Sequence, residues 1–286
     1  MFNHSPAMIA APFAQCMREA PQMLDVPLNC KDLSRLYTRH FDVVRADTSA
    51  LLDRVYEIRY QVYCVENAFE DPAENPGGRE IDAEDDRAAH VLLIHRESGV
   101  AAGTARVILP DRRRPLPIQR VLDSEGRRLF AHLPAHTVGE VSRFAVPKAF
   151  RRRRGEDRYA DVGMNEPMAA PEQRVMPFIT FGLFRGIIGA CLENGLSHMT
   201  AVMEAPLIRL LKRFGLDFHA FGGVVEYHGL RQPCVARVFD LVEHVRGENG
   251  KLWSYAKEEV SRYTDPEPSS AAKQVARKPL ALPIDN

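Results

Sequence analysis

The sequence predicts an α/β fold built in layers around a mixed β-sheet. Strand-like and helix-like segments follow one another in the order β-α-β-β-β-α-β-α-β-β, which interleaves runs of consecutive strands with strand–helix–strand units. The chain of 286 residues is 45% hydrophobic and 27% charged. This composition is typical of soluble globular proteins, and the length is sufficient for one large domain or two small ones.

The first strand and the first helix open the predicted sheet domain. Residues 41–46, FDVVRA, have the character of a strand. Asp47 or Thr48 is suited to cap a helix over residues 49–66. Apolar residues recur in that helix at the spacing of one face, namely Leu51, Val55, Ile58 and Val62.

The middle of the chain is predicted to contain three strands and two connections. Residues 67–88 form an acidic loop that is punctuated by proline and glycine. Two strands, 89–98 and 99–109, meet at a turn. A connection rich in proline and arginine, 110–126, precedes the strand that covers residues 139–146.

The last part of the domain begins with a polar insertion, 147–174, for which no regular structure is predicted. A strongly apolar helix follows and ends at Gly195. This helix supplies either a tunnel for a long apolar ligand or ordinary core. The remaining elements are a strand, a helix and a group of closing strands, at 196–204, 205–215 and 218–242.

The chain is thus divided into an extension (1–40), a folded domain (41–247) and a polar tail (248–286) that is expected to be partly disordered. No lysine or arginine precedes Arg18, so the first residues do not have the pattern of a secretory signal. Five scattered cysteines without a C-x-x-C pair indicate a reduced, cytoplasmic protein. Lys+Arg and Asp+Glu are equal at 38 each, which argues against a nucleic-acid partner.

Several charged residues stand where the local pattern favours apolar residues or a tight loop. They are Arg59, Asp82, Asp85, Arg106, Glu140 and Arg143. Three arginines and three carboxylates form the balanced set that a buried ion cluster requires. Each one taken singly has an ordinary alternative, because arginines beside apolar helix faces extend to water and acidic loops are solvated.

The stretch GEVSRFAV, residues 139–146, carries Glu140 and Arg143 three positions apart. Side chains alternate across a strand, so a regular strand would place these two on opposite faces of the sheet. A β-bulge, which inserts one extra residue, would bring both onto one face.

Four stretches of the sequence together resemble a known group of enzymes. RYQVYCVENAF, EIDAEDDRAAHVLL, GTARVILP and EVSRFAV are similar to autoinducer (acyl-homoserine lactone) synthases. They resemble still more closely the exosortase-associated acyltransferases of the PEP-CTERM system and the long-chain N-acyl amino acid synthases. The resemblance covers about residues 41–240. Phe69 stands where autoinducer synthases usually carry a tryptophan, which suits the amino-acid synthases better.

The resemblance implies a GNAT-like three-layer fold, in which helices flank a mixed central sheet and a bulged central strand splays from its neighbour. An acyl thioester then enters the gap, and backbone N–H groups bind its carbonyl. Glu140 and Arg143 are the implied catalytic residues. Glu140 either accepts the proton of the attacking amine or forms a purely structural ion pair. The residues implied to bind substrate or complete the ion cluster are Arg59, Tyr63, Phe69, Asp82, Asp85, Arg106, Ser142 and Phe144.

The same resemblance bears on the thioester carrier. GNAT enzymes bind the pyrophosphate of coenzyme A on a loop of the form R/Q-x-x-G-x-G/A. Arg152 and Gly155 fit its first half, but Asp157 replaces the second small residue, so acyl-coenzyme A is the less favoured donor. An acidic acyl carrier protein fits the basic clusters better, although a solvated surface remains the alternative. These clusters are Arg112–Arg114 and the run Arg151, Arg152, Arg153 and Arg154.

The predicted function is transfer of a long-chain acyl group from a thioester to the amine of an amino acid. The alternatives are an acyl-homoserine lactone synthase that uses S-adenosylmethionine, and a non-catalytic acyl-binding module. Acyl carrier protein and the amino acid are the expected partners, with transient contact to a membrane surface as a further one. No metal site is predicted, because the histidines are scattered and none is at ligand spacing, and no bound cofactor is predicted. The absence of a G-x-S-x-G motif argues against a serine nucleophile.

Overall fold

The computed structural model describes residues 40–151, 175–213, 215–226 and 229–248. The strands are β1 (Phe41–Arg45), β2 (Ala88–His95), β3 (Ala101–Ile108), β4 (Val138–Ala145), β5 (His198–Met203), β6 (His219–Ala220), β7 (Val225–Glu226) and β8 (Leu230–Arg237). The α-helices of this part are α1 (Ser49–Tyr60), α2 (Ile118–Val121), α3 (Ser124–Phe130), α4 (Lys148–Arg151), α5 (Val175–Glu193), α6 (Ala205–Arg213) and α7 (Val238–Glu248). The extension 1–39, most of the insertion and the tail lie outside the described residues.

The strands form one mixed sheet, which confirms the predicted fold class. Their order is β1-β2-β3-β4-β5-β8-β6, and the short strand β7 pairs with β8. Strands β4 and β5 are parallel, whereas the other paired strands of the described chain are antiparallel. The first four strands therefore form a meander, and β5 with β8 and β6 forms a second group.

Helices cover both faces of the sheet. On one face α5 packs against alternate residues of the central strands, for example Val91, Val107 and Val141. On the other face α1 packs against the intervening residues, for example Leu92. Since period-two alternation assigns neighbouring residues to opposite faces, the molecule has three layers.

Two sequence predictions about elements are wrong. The closing strand predicted to continue to residue 242 ends at Arg237, and α7 begins at Val238. Val238, Leu241 and Val242 are buried, and their spacing of three and four residues is that of a helix face. The insertion 147–174, for which no regular structure is predicted, contains the single-turn helix α4 in its described part. The connection 110–126 contains α2 and the start of α3, whose N-cap is the carboxylate of Asp123.

Strand β4 carries the predicted bulge. Ser142 pairs with Arg106 and Ala145 pairs with Thr104, so three steps along β4 match two steps along β3. Arg143, within this step, has a φ angle of 48°, a left-handed conformation that non-glycine residues rarely adopt. The extra residue changes the alternation, so that Phe144 packs against Phe184 of α5 while Arg143 faces the α1 layer.

The splay implied for a GNAT-like sheet is also present. Strand β4 pairs with β5 only through Val138–Glu140, which lie opposite His198–Thr200. Both strands continue beyond these pairs, β4 to Ala145 and β5 to Met203, without further pairing between the described residues of the two strands. A gap therefore opens between them directly after Glu140.

The described side chains of α5 that face the sheet are part of the hydrophobic core. Ile179, Leu183 and Ile187 are fully buried against the sheet, which favours core packing over a tunnel. None of the helices that the structure describes is both long enough and apolar enough to cross a membrane.

The close approach of α5 to the sheet predicts opposite effects for two substitutions. A methyl group on Gly186 would overlap Val91 and lie 2.8 Å from Cγ2 of Val43, whereas one on Gly189 would meet nothing within 4 Å. We expect Gly186→Ala to lower the free energy of unfolding by about 1–3 kcal/mol through overpacking. Gly189→Ala should raise it by up to about 1 kcal/mol, since alanine favours helix. Urea unfolding measures both, and equal effects would contradict the packing described.

Candidate active site

Arg59 is the most deeply buried charge of the ion cluster and is fully inaccessible to solvent. It lies in the last turn of α1, one helical turn after Val55 on the side that packs against the sheet. Its Nε donates to Glu80 Oε2 at 2.5 Å and its Nη1 donates to Asp85 Oδ1 at 2.6 Å. The planar guanidinium thus binds two carboxylates from the acidic loop at once.

Arg106 brings the central sheet into the same network. Its Nη1 donates to Asp82 Oδ1 at 2.6 Å and to Asp85 Oδ1 at 2.7 Å. Its Nε donates to Ser142 Oγ of β4 at 3.0 Å. Strand β3 therefore presents one buried arginine that links the acidic loop to the residue before the bulge.

Arg143 completes the cluster from the bulge. Its Nη2 lies 3.0 Å from Glu80 Oε1, 3.0 Å from Asp82 Oδ2 and 3.3 Å from Glu70 Oε1. Its guanidinium carbon lies 5.4 Å from the centre of the Tyr63 ring, a cation–π arrangement. The left-handed backbone of Arg143 is what turns its side chain onto the face where these partners lie.

The ion cluster therefore has three arginines and four carboxylates, namely Arg59, Arg106, Arg143, Glu70, Glu80, Asp82 and Asp85. Burial acts to raise the pKa of Asp82, but the hydrogen bond from Arg106 and the neighbouring arginine charges outweigh it and hold that pKa below its usual range. Arg143 and Arg59 likewise lower the pKa of Glu80 against the effect of burial. These carboxylates are therefore ionised at neutral pH.

Glu70 and His90 stand at the two ends of the cluster. Burial raises the pKa of Glu70 and outweighs the opposing charge of Arg143. His90 lies on β2 with its Nε2 3.7 Å from Asp85 Oδ1. Burial lowers the pKa of His90 to about 4, so its ring is neutral at pH 7.

Glu140 lies apart from the arginine network, although it shares a face of β4 with Ser142. Its Oε2 accepts a hydrogen bond of 2.8 Å from the backbone N–H of Ile118 at the start of α2. Among the described residues, none of the three cluster arginines forms an ion pair with it, so the sequence-based hypothesis that Glu140 balances them is wrong. Burial raises the pKa of Glu140 to about 7, against the N–H of Ile118 and the charge of Arg106, which lower it.

The other predicted site residues fall into two groups. Tyr63 and Phe69 are buried beside the cluster, with ring centres 6.4 Å apart. Phe144 lies on the α5 face and is separated from the ion cluster by the sheet, because the bulge turns it there. Its predicted role in binding substrate stays a prediction.

The proposed carrier-protein contacts are described only in part. Arg112 and Arg113 are exposed, and Arg114 is paired with Asp86 and Asp111. The side chain of Arg151 and the residues Arg152, Arg153 and Arg154 lie outside the described part of the chain.

Sequence reasoning missed two carboxylates of the cluster, Glu80 and Glu70. Glu80 is nearly inaccessible and contacts both Arg59 and Arg143. Both missed carboxylates lie in the acidic loop 67–88, where a carboxylate conflicts with no neighbouring residue type. The available signal was charge balance, since removing Glu140 from the set leaves three arginines facing only two carboxylates.

The region that contains the ion cluster and Glu140 matches a known sequence family. Residues 58–160 match the family model described as "Acetyltransferase (GNAT) domain". The match covers a little over a third of the chain and includes the whole ion cluster, the bulge and Glu140. The GNAT-like fold and the enzyme class that the resemblance implied are therefore confirmed. No curated protein matches the chain.

Several solved structures are similar to this chain. The N-acyl amino acid synthase FeeM, from uncultured soil microbes, is 15% identical with a TM-score of 0.46, over 71% of this chain and 94% of FeeM. The AHL synthase LasI is 18% identical with a TM-score of 0.46, over 68% of this chain and 88% of LasI. The CoA-dependent acyl-homoserine lactone synthase MesI is 20% identical with a TM-score of 0.47, over 73% and 95% of the two chains.

The burial of Arg59 predicts a large loss of stability when it is removed. Arg59→Ala leaves Glu80 and Asp85 buried with a missing partner, which should lower the free energy of unfolding by about 3–5 kcal/mol. The matched control is Arg96→Ala, which removes the exposed pair with Asp42 and should change it by less than about 1 kcal/mol. Chemical denaturation compares the two, and a small effect at Arg59 would contradict the described network.

The raised pKa of Glu140 predicts a pH-dependent stability. The ordinary pKa is 4.5 and the folded value is about 7, so the contribution of the protonated carboxyl is fully present below pH 4.5 and is lost as pH rises through 7. Glu140→Gln, which does not ionise, should gain roughly 3 kcal/mol relative to wild type between pH 4.5 and pH 8. Glu57→Gln, at an exposed position of α1, is the control and should show no such gain. If the difference in free energy of unfolding between Glu140→Gln and wild type does not change with pH, the pKa of Glu140 is not raised by burial.

Proposed function

We propose that the protein transfers a long-chain acyl group from an acyl thioester to the amine of an amino acid, forming an N-acyl amino acid. The observation that carries the proposal is the position of Glu140, a buried carboxylate at the point where β4 parts from β5. The match of residues 58–160 to the acetyltransferase (GNAT) domain supports acyl transfer as the reaction class. The resemblance to exosortase-associated acyltransferases and N-acyl amino acid synthases supports the long acyl chain and the acceptor.

The gap between β4 and β5 is suited to hold the thioester. Beyond Glu140 the edge of β4 that faces β5 has no strand partner there among the described residues. Backbone N–H groups on this edge are available to the carbonyl oxygen, which gains negative charge when the amine attacks. The bulge at Arg143 fixes the direction of these groups.

The accessible edge of the ion cluster is suited to an amino acid. Arg59 and Arg106 are nearly inaccessible and brace the acidic loop, whereas the side chains of Glu70, Asp82 and Arg143 are 29%, 28% and 14% exposed. Arg143 uses Nε and Nη2 for its hydrogen bonds, and its Nη1 has no partner among the described residues. This edge thus offers a cationic donor for the carboxylate of the acceptor beside two carboxylates for its ammonium group.

The reaction is a direct transfer in which atoms balance. The ammonium group of the acceptor first loses a proton to solvent, and the resulting neutral amine attacks the carbonyl carbon of the thioester. Glu140 accepts the second proton that the nitrogen loses. The carbon–sulfur bond then breaks, the amide is formed, and the carrier thiolate takes up a proton to leave as a thiol. A pKa of about 7 suits Glu140 to this role, because a base is most effective when its pKa is near the working pH.

The experiment that tests the proposal is incubation of the purified protein with palmitoyl–acyl carrier protein or palmitoyl-coenzyme A and each of the standard amino acids, or S-adenosylmethionine. Mass spectrometry detects the products. We expect an N-acyl amino acid with wild type and a value of kcat lower by roughly 10²–10⁴-fold with Glu140→Gln. An acyl-homoserine lactone as the product would replace the proposal with lactone synthesis. Absence of any acylated product would support the non-catalytic module.

The choice of acyl carrier protein as donor predicts a charge-dependent encounter. Reversal of Arg151–Arg154 to glutamate should raise KM for acyl carrier protein and weaken its salt dependence, because charges at a rim act mainly on association. The control is Arg45→Glu, at an exposed position of β1 at the far edge of the sheet. Unchanged kinetics with acyl carrier protein would contradict this choice of donor, and equal use of palmitoyl-coenzyme A by both proteins would indicate the alternative carrier.

A further inference from the structure

The hydrogen bond to Glu140 comes from a segment that has little regular structure of its own. Ile118 donates its N–H to Glu140 from the first residue of α2, a single turn. The chain between the end of β3 at Ile108 and this residue is irregular. The position of the donor therefore depends on what holds the connecting segment, residues 109–117, in place.

Arg87 holds this connecting segment through its backbone. Its Nη1 donates to the carbonyl oxygen of Arg114 at 2.7 Å and its Nη2 donates to that of Pro115 at 3.0 Å. Nη1 also lies 3.5 Å from the carbonyl oxygen of Leu109, and Leu109 donates its own N–H to the carbonyl of Arg87 at 2.9 Å. One side chain, only 7% exposed, thus contacts both ends of the segment.

Arg87 is itself held in a fixed orientation. Its Nε donates to Glu84 Oε2 at 2.7 Å, three residues earlier in the same turn. Arg114 returns a contact from the connecting segment, since its Nη1 donates to the carbonyl of Ala83 at 3.1 Å and its Nη2 to Asp86 at 2.9 Å. The turn and the segment are therefore joined in both directions.

The same turn carries the carboxylates of the ion cluster. Asp82 and Asp85 point to Arg106 and Arg59, while Arg87 points to the connecting segment. Residues 82–87 thus lie between the accessible edge of the cluster and the hydrogen bond to Glu140. Displacement of this turn would affect both sites together.

We propose that Arg87 is a positioning residue, which fixes the connecting segment so that the N–H of Ile118 meets the carboxylate of Glu140. Arg87 reaches no reacting atom and acts only through this segment. The proposal deepens the proposed function, because Glu140 is the base of that reaction, but the contacts themselves do not depend on it. Lysine at this position keeps the charge but lacks the planar fork that reaches two carbonyl groups at once.

The groups around Glu140 determine the direction in which its pKa should change when Arg87 is replaced. The N–H of Ile118 lowers its pKa, as do the charges of Arg106 on β3 and Arg87 in the turn, and the charge of Glu84 raises it. Arg87→Lys keeps the charge and loosens the segment, so only the contribution of the hydrogen bond is lost. The ionisation of Glu140 should then move to higher pH.

The experiment measures the ionisation midpoint of Glu140 without requiring turnover. The free energy of unfolding is followed against pH for wild type and Arg87→Lys, each compared with the same protein carrying Glu140→Gln. We expect the midpoint to rise by about one pH unit in Arg87→Lys. Hydrogen exchange at the backbone N–H of Ile118 should become faster by about tenfold or more. The control is Arg113→Lys, an exposed neighbour in the same segment, which should change neither quantity.

A second variant covers the case in which Arg87→Lys does not fold. Gln119 accepts the N–H of Leu116 through its side chain at 2.8 Å, so Gln119→Ala loosens the same segment without a change of charge. It should move the midpoint in the same direction by a smaller amount. An unchanged midpoint and unchanged Ile118 exchange in the variant that folds would overturn the proposal.

The outcomes separate this proposal from the proposed function. If wild type acylates amino acids, Arg87→Lys should also move the acidic limb of the kcat/KM profile to higher pH, and a shift of the midpoint without this change would remove Arg87 from the reaction. If no acylation occurs but the midpoint moves, the positioning of Glu140 by Arg87 stands and the proposed function falls.

Discussion

The burial of one guanidinium group constrains most of this structure. Arg59 has no access to water, and an unpaired charge in such a place costs far more free energy than a domain can spare. The acidic loop must therefore fold back onto α1 to supply Glu80 and Asp85. Once these carboxylates are buried, they need further cations, which β3 and β4 supply. The loop, the first helix and two central strands are thus held together by a requirement for charge balance rather than by apolar contact alone.

The bulge in β4 follows from this requirement. A regular strand would turn Arg143 toward the apolar layer under α5 and leave Glu80 and Asp82 short of a partner. The left-handed backbone at Arg143 is costly by itself, by about 1–3 kcal/mol, but it exchanges a charge in the apolar layer for Phe144. The same irregularity accompanies the separation of β4 from β5. Ion pairing and the open gap in the sheet therefore occur within the same few residues of β4.

The sequence was sufficient for the layered fold, for the bulge and for the three arginines of the cluster, because each arginine left a local conflict: Arg59 among apolar helix residues, Arg106 in an apolar strand, and Arg143 as one of two charges in a strand. The sequence predicted Asp82 and Asp85 only through their charge balance with these arginines and through the resemblance. It was not sufficient for Glu80 or Glu70, since an acid in an acidic loop conflicts with nothing nearby. Nor did it indicate that Glu140 is bound by Ile118, because a hydrogen bond from a backbone N–H leaves no trace in residue type. The helix at Val238 was missed because a short apolar run fits strand and helix equally well.

The short junction between β4 and β5 also determines how the chain assembles. The pairings within β1 to β4 and those of β5 with β6 and β8 connect strands that are near each other along the sequence, so each half closes only moderate loops. The entropy of closing the longest loop, between the paired residues Glu140 and Thr200, is opposed by only three residue pairs. Folding of the sheet is therefore expected in two stages, with each half forming first and the union of the halves across their shared apolar core coming last.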